Sequence, residues 1–534
     1  MKRIIYPLTL LVIFAVCAVA AFFLTKPEEP EDAAAAALTF TLPSGQKLNA
    51  WSAGNGDYYL FLPSFADPKT ITPPKGISVP EPDNIYTVSV NGKSVKLHVL
   101  RSDNVPTIFI DTVTGKTSRI HIKKGVPEEA NIRIIDPKGK EEYASKGGDI
   151  VKGRGNGTWM PEKKPYNIRL TAPKPLLGMP AGIDWVLIAN YYDKTKIRNK
   201  IICDFARDVN IPHTPRCEFA DVYVNGDYAG LYLLSQKASA TPVKSGELLF
   251  EVGMDFQRNP DDVYFTTNCA ARGRLVKFAN PKRPSDSQLQ TLRQTLLKAE
   301  EDLETDAAKG TWTNAFDLDT TARLFLLDEV FMNTDADTAS CFYIFRDGKI
   351  YSGPVWDYDG SCGHEKITSA FYSGAYPEQF YLANGDADRD RPWYHLMIEN
   401  DMFMDKVKEL YRDEYLPLLK EYTEERIPAT EKLIEQARSL DHIRWPQINA
   451  MPVAKYLREK TDFLNRIWID GAEYVNVRFY NEENIVVNHR AVLKGSTVKD
   501  PPSGVWYRKE NMDTFDFREV ITTDTDLYCF EKWK

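Results

Sequence analysis

From Leu38 onward, apolar residues recur at every second position in short runs: LTFTL, YYLFL, YTVSV, VKLHV and TIFI. Each run is cut off by Pro, Gly, Asn or Asp. Alternation of period two buries one face of a strand and wets the other, so this part of the chain must build sheet. Asn91-Gly92, between two of the runs, supplies the left-handed residues of a tight hairpin turn. Residues 38–145 therefore read as a small all-β module. The preceding residues 26–37 are charged, Pro-containing and then Ala-rich, which is the composition of a linker.

Between 146 and 472 the pattern mixes. Strands are expected at YNIRL (166–170), WVLIA (185–189), FADVYV (219–224), GLYLL (230–234) and FYIF (342–345), with Asn225-Gly226-Asp227 as a second hairpin turn. Helices are expected over Lys194–Asp208, Ser285–Leu303 and Asp319–Met332, and in two longer stretches between Met404 and Ile469. In the third of these, Leu324, Leu327, Asp328 and Phe331 recur at helical spacing. An α+β body of this size can place a cleft between a strand-rich half and a helical half. Residues 473–534 return to strand alternation. The full 534 residues suit three or four domains at ~150 residues each.

Lys2 and Arg3 precede an uncharged run from Ile4 to Leu24, as long as the ~20 residues that cross a bilayer. Acidic Glu28, Glu29, Glu31 and Asp32 follow, which places the N-terminus inside and the body outside. Residues 1–25 read as a signal anchor, as a signal peptide cleaved near Ala18–Ala21, or as a lipidation segment at Cys17. Every one of these readings exports the body, either membrane-anchored or secreted. The formal charge of −8 argues against a nucleic-acid binder, which shows a basic excess. The cysteines beyond Cys17 are widely spaced without C-x-x-C, and the 7 histidines are scattered, so zinc has little support.

Three clusters carry chemistry. In Gly153-Arg154-Gly155-Asn156-Gly157-Thr158-Trp159, alternate glycines let backbone N–H groups approach an anion, and Lys163-Lys164 follow as countercharge. Asp335, in Asn333-Thr334-Asp335-Ala336-Asp337, comes after an apolar helix, where a carboxylate can orient a hydroxyl. Trp356-Asp357-Tyr358-Asp359-Gly360 sets two carboxylates two residues apart, a pattern suited to a hard cation. Each is also compatible with an ordinary turn. Together they form the parts list of phosphoryl transfer.

GRGNGTW, KKPYNIRL, LLGMPAGIDWVLIANYYDKTKIRN, VYVNGDYAGLYLLSQK, LLFEVGMDF and GPVWDYDGSCG closely resemble the CotH (spore-coat protein H) kinase-like family, over residues from about 100 to 470. The resemblance implies an atypical protein-kinase-like central domain at 146–472, flanked by small all-β modules. It also implies ATP and Mg²⁺ or Mn²⁺ as cofactors, and a protein Ser or Thr as acceptor. By the same resemblance Asp335 is the catalytic base, and Asp357 and Asp359 are metal ligands. Arg154, Gly155, Asn156, Lys164, Arg198 and Glu251 surround the nucleotide, with no specific role for Glu251. Lys164 is preferred to Lys163 because it shares strand parity with Tyr166, Ile168 and Leu170. Gln236 stands where the family carries Glu, Gly157 where it carries Ser, and Ser340 where some relatives carry Asn. Residues 473–534, through Gly495-Ser496-Thr497-Val498 and the closing Leu527-Tyr528, resemble a Listeria–Bacteroides (internalin B-type) repeat, a spacer or adhesive module.

The expected function is an extracytoplasmic CotH-like kinase, tied to the cell envelope or membrane through its N-terminal segment. The alternative is an inactive kinase-like scaffold acting as a cell-surface or cell-wall binding protein, favoured by Gln236 and by the scarcity of ATP outside the cell. Fold alone does not choose between them.

Overall fold

The computed structural model describes residues 38–78, 81–253, 258, 261–267, 274–333, 335–336, 339–363, 377–382, 393–447, 451–482, 484, 486–499 and 504–530. The expected anchor or signal peptide at 1–25 and linker at 26–37 lie outside them. Among the described residues no helix is long and apolar enough to cross a membrane.

The centre of the molecule is a closed barrel of β1 (Thr107–Thr112), β2 (Glu128–Ile135), β3 (Asp149–Gly153), β4 (Tyr166–Lys174), β5 (Gly182–Ile188), β6 (Cys217–Val224) and β7 (Asp227–Gln236). The order around the wall is β7-β5-β4-β3-β2-β1-β6, with β6 returning to β7. All neighbours are antiparallel except β1 and β6, which run parallel with Thr107 opposite Asp221 and Ile110 opposite Val224. Ile108 and Ile110, Ile132 and Ile134, Tyr166, Ile168 and Leu170, Trp185 and Leu187, and Ala220, Val222 and Val224 fill one buried core. Every one of these sets has period two, as an inward-facing wall requires. The β6–β7 turn uses Asn225 and Gly226 at φ of 52° and 90°, the left-handed pair that closes a two-residue hairpin.

Strands Thr39–Thr41 and Lys47–Asn49 extend the sheet from β7, and a four-stranded sheet of Trp51–Ser52, Asp57–Leu62, Lys93–Arg101 and Asn84–Val90 packs beside the barrel. A second, five-stranded sheet comprises β8 (Leu248–Gly253), β9 (Tyr264–Thr266), β10 (Leu275–Asn280), β11 (Cys341–Arg346) and β12 (Lys349–Ser352), in the order β9-β10-β8-β11-β12. Helices α1 (Thr117–Ile122), α2 (Arg198–Asp208), α3 (Asp286–Asp306), α4 (Leu318–Phe331), α5 (Asp401–Leu410), α6 (Glu435–Arg444) and α7 (Val453–Leu464) are joined by shorter helical segments at Tyr394–Met397, Leu416–Glu421 and Ile427–Leu433. The C-terminal strands, from Tyr474–Tyr480 to Thr525–Tyr528, form a four-stranded sheet with a core of its own around Val477, Phe479, Trp506 and Leu527.

The expected architecture, a kinase-like α+β body flanked by separate small β modules, is corrected here. The fold is β-rich and built on the closed barrel, and the described residues show no helical kinase lobe. TIFI becomes β1 and closes the barrel against β6 instead of finishing an N-terminal module. Helices α2, α3, α4, α5 and α7 share one core with the second sheet and the outer face of β6 and β7. Alternation shows that a run is a strand but not which strand it pairs with, and an apolar stripe does not say whether sheet or helix covers it. In α4 every residue from Thr320 to Phe331 is buried, so sheet and helices enclose it on all sides.

Helix α6 is clamped to β7 through a buried charge network. Asp441 receives Lys163 and Lys196 as ion pairs and the Leu231 N–H at 2.9 Å. Gly230 permits this approach, since a Cβ there would stand 2.4 Å from Asp441 Oδ1. The two ammonium groups overcome the burial that would otherwise raise its carboxyl, and hold Asp441 ionised.

His121 of α1 stacks on Tyr166 of β4 and shares a 2.7 Å hydrogen bond with its hydroxyl. Burial, reinforced by nearby Lys164, lowers its pKa to about 4. Unfolding frees an imidazole that takes a proton near pH 6.5, so the unfolded state binds more protons between pH 6.5 and 4. The contribution of His121 to stability is full above pH 6.5 and should fall by roughly 2–3 kcal/mol as pH drops toward 4. His121→Gln should flatten that part of the profile in denaturant titrations run at a series of pH values.

Candidate functional site

β3 ends at Gly153, and the chain turns through Arg154, Gly155 and Asn156 into a single 3-10 turn, Gly157–Trp159. A Cβ on Gly153 would stand 2.1 Å from the Trp159 ring, and one on Gly155 (φ +92°) would meet Thr158 Oγ1 at 2.2 Å. Only glycine lets the loop fold back on itself at these two places. Asn156 is exposed and its Oδ1 accepts from Lys124 at 2.9 Å. The N–H groups of Gly155, Asn156 and Gly157 donate to no acceptor among the described residues.

Beyond β12 the chain runs through Gly353–Val355 to Trp356. The Trp356 ring packs on the face of the second sheet that carries Leu249, Phe342 and Ile344, and Arg154 lies over it at 5.5 Å. That contact joins the first sequence cluster to the third. Asp357 adopts φ +68°, an unfavourable conformation for a residue with a side chain. It is held there by Tyr358, whose N–H donates to Asn199 Oδ1 (2.8 Å) and whose hydroxyl donates to Asp328 (2.6 Å). Asp335 follows the left-handed Met332 that ends α4, and its N–H donates to Asn333 Oδ1 at 3.1 Å.

The carboxylates converge. Burial, together with the charges of Asp357, Asp193 and Asp335, pushes Asp359 up to about 8. Burial also raises Asp357, partly offset by Arg154 and a hydrogen bond from Ser340. Arg154 is lowered by burial and supported by both acids. Asp335, Asp193 and Arg154 thus lie within electrostatic reach of the Asp357–Asp359 pair, Asp193 being an addition to the residues named from the motifs. Sequence reasoning missed Asp193; its signal was an Asp two residues before Thr195, whose N–H it accepts in an Asx turn.

Arg198 needs a correction. Its side chain is fully buried, and its guanidinium donates to Ser361 O, Cys362 O, Met451 O, Thr195 Oγ1 and Asp193. A guanidinium has five N–H donors, so none remains for a phosphate. Arg198 positions the segment after Asp359. Asp193 in turn accepts the Arg198 N–H at 3.0 Å and the Thr195 N–H at 2.9 Å. Burial would raise its carboxyl, but Arg198 and Thr195 hold it below its usual range.

The parity argument for the lysines also needs correction. β4 begins only at Tyr166, so its alternation does not extend back to residue 163. Lys163 is the fully enclosed lysine and belongs to the Asp441 network. Lys164 is half-buried, donates to Trp159 O at 2.8 Å and lies over the Trp159 ring at 4.9 Å, which ties it to the glycine loop. Glu251, central in the second sheet, pairs with Lys277 at 3.2 Å, and burial raises its carboxyl against the pull of Lys277 and Lys237. Gln236 donates to Pro180 O at 2.9 Å, a bond no carboxylate could make.

The donor set fits a hard divalent cation. Asp357 and Asp359 offer carboxylate oxygens in a place where acidic charge exceeds nearby basic charge. The described residues contain no group of three or more His, Cys, Asp or Glu side chains arranged to hold a metal ion. Two protein carboxylates would thus share the cation with phosphate oxygens and water, the habit of Mg²⁺. Two cavities lie away from this cluster: one of about 360 Å³ beside Val105, Leu177 and Phe219, and one of about 80 Å³ between Phe463 and the C-terminal sheet.

A family model described as CotH kinase protein matches residues 151–466, a span that contains Arg154, Asp193, Asp335, Asp357 and Asp359. No curated protein matches the chain.

Removing Arg198 strands a buried Asp193 carboxylate and frees three carbonyls. Arg198→Gln should therefore cost about 3–5 kcal/mol in urea unfolding. Arg198→Lys should recover little of it, because an ammonium cannot reproduce the fork.

Proposed function

The chain belongs to the CotH kinase family, whose matched span covers more than half of it; from that premise we propose an extracytoplasmic phosphotransferase that moves the ATP γ-phosphoryl group to a Ser or Thr hydroxyl of a protein. The observation that carries this reading is that Arg154, at the start of the glycine loop, and the carboxylates of Asp193 and Asp335 lie within electrostatic reach of Asp357 and Asp359. ATP with Mg²⁺ or Mn²⁺ would supply the phosphoryl group and the neutralising charge. Asp357 and Asp359 would hold the cation. Arg154 and the unused N–H groups of residues 155–157 offset phosphate charge. Asp335, half-buried at the lip, accepts the proton of the acceptor hydroxyl as the new P–O bond forms.

The N-terminal segment would keep the body at the outer face of the membrane or export it altogether. Residues 473–534, with their own sheet and core, fit a Listeria–Bacteroides-type repeat serving as spacer or adhesive module. The scaffold alternative rests on the scarcity of ATP outside the cell and on Gln236, whose amide donates to Pro180 O where the family carries a carboxylate.

Asp357→Asn should weaken metal-dependent ATP binding and turnover together. Asp335→Asn should lower turnover by ~10²–10⁴-fold while ATP still binds. Calorimetry and phosphate transfer to a Ser/Thr protein measure the two effects. The Asp357→Asn/Asp359→Asn double variant guards against one acid replacing the other. If none of these variants changes either quantity, the kinase reading fails.

A further inference from the structure

Helix α2 lies along the start of β6, and two contacts fix how. In its first turn Lys200 pairs with Glu218 of β6 at 3.4 Å. In its last turn Arg207 donates to Pro215 O at 3.3 Å, just ahead of the strand. The helix therefore runs antiparallel to the segment 215–218. Seven helical residues rise about 10.5 Å and three extended ones about 10 Å, so the two stretches keep pace. Counted from the Lys200–Glu218 contact, Cys203 lies about 4.5 Å along the helix and Cys217 about 3.3 Å along the strand. The two cysteines stand level with each other across the seam.

They also point into it. Lys200, Cys203 and Arg207 follow the i, i+3, i+7 spacing of one helix face. Cys217 shares strand parity with Phe219, and both belong to the core on the outside of the barrel that α2 fills with Ile201, Ile202, Cys203, Phe205 and Ala206. Ala220, Val222 and Val224, of the opposite parity, fill the inside. The Cys203 thiol beside it, and then burial, raise the Cys217 thiol well above its ordinary range. Other cysteines are placed differently: Cys341 donates to Ala339 O at 3.2 Å, and Cys529 belongs to the C-terminal core.

We propose that Cys203 and Cys217 join as a disulfide when the chain folds in oxidising surroundings, stapling α2 to the barrel wall. A disulfide oxidant balances the step. One cysteine thiolate attacks it and releases a thiol, and the other attacks the mixed disulfide and releases the second thiol. Two S–H bonds are lost and one S–S bond forms, while the oxidant's S–S bond becomes two thiols. In the finished fold Cys203 is 7% and Cys217 1% exposed, so exchange precedes closure of the seam, and the bridge once made is shielded from reductants. It sits little more than a turn beyond Arg198 and Asn199, which hold the Asp357–Asp359 segment, and fastens to the wall the helix that carries them. The oxidising surroundings rest on the export reading above; the pairing of the two thiols does not.

The test is to synthesise the full chain in a cell-free extract buffered either with reduced and oxidised glutathione or with excess dithiothreitol. Free thiols are then alkylated and the soluble protein is digested with trypsin. Cleavage after Arg207 and Arg216 separates the two cysteines, so a bridge appears as a linked pair of unalkylated peptides. That pair is expected only from the glutathione arm, whose protein should melt about 4–8 °C above the reduced form. Cys217→Ala should abolish both the linked pair and the difference in melting; if that variant is insoluble, Cys203→Ala takes its place. Alkylation of both thiols in the glutathione arm, or a bridge from either to another cysteine, overturns the pairing. A linked pair with no rise in melting midpoint overturns the staple. A chain bridged in the glutathione arm but fully reduced when recovered from its own cells supports the pairing and counts against export instead.

Discussion

Everything at the site depends on one buried guanidinium. Arg198 crosslinks the start of α2 to the turn after Asp359 and to Met451 just ahead of α7, using donors that water would otherwise satisfy. Its partner Asp193 is one of the four carboxylates, so structural clamp and candidate chemistry share a residue. Asn199, the next residue, fixes the backbone of Tyr358 between the two site aspartates. A charge at this depth is tolerable only because it is paired and fully hydrogen-bonded. The Arg-Asn pair is a scaffold for the Trp-Asp-Tyr-Asp segment rather than a ligand contact.

Much of the local structure was legible. The strands at 166–170, 219–224, 230–234 and 342–345 form, the Asn-Gly turns close hairpins, and the helix expected over Ser285–Leu303 forms as α3. Local periodicity and turn chemistry determine these features, and both are written in a few adjacent residues. The barrel was not legible. Its closing pair, β1 with β6, joins segments about a hundred residues apart, and alternation is silent on partners. The same limit explains Lys163 and Lys164. Parity holds inside a strand, and these residues lie before one begins.

The site was legible as a set of motifs and not as a geometry. Asp335, Asp357 and Asp359 could be named because their neighbours are turn residues and aromatics. Asp193 sits beside an equally plain signal, an Asx turn, and gains meaning only when the fold brings it within reach of the others. Arg198 shows the opposite failure: a motif cation read as ligand-facing is enclosed, with its full donor set occupied.

The parallel seam between β1 and β6 also orders events in time. A ribosome delivers Thr107–Thr112 long before Cys217–Val224, and until the later strand arrives β1 has one bare edge of unpaired N–H and C=O groups. Five of the seven wall strands will then be in place or waiting, facing inward with isoleucines and aromatics that have no opposite wall. Such long-range closure is slow, and a slow, sticky edge invites pairing with another chain. Until the last strand seals the wall, that edge is where the newborn chain is open to mispairing.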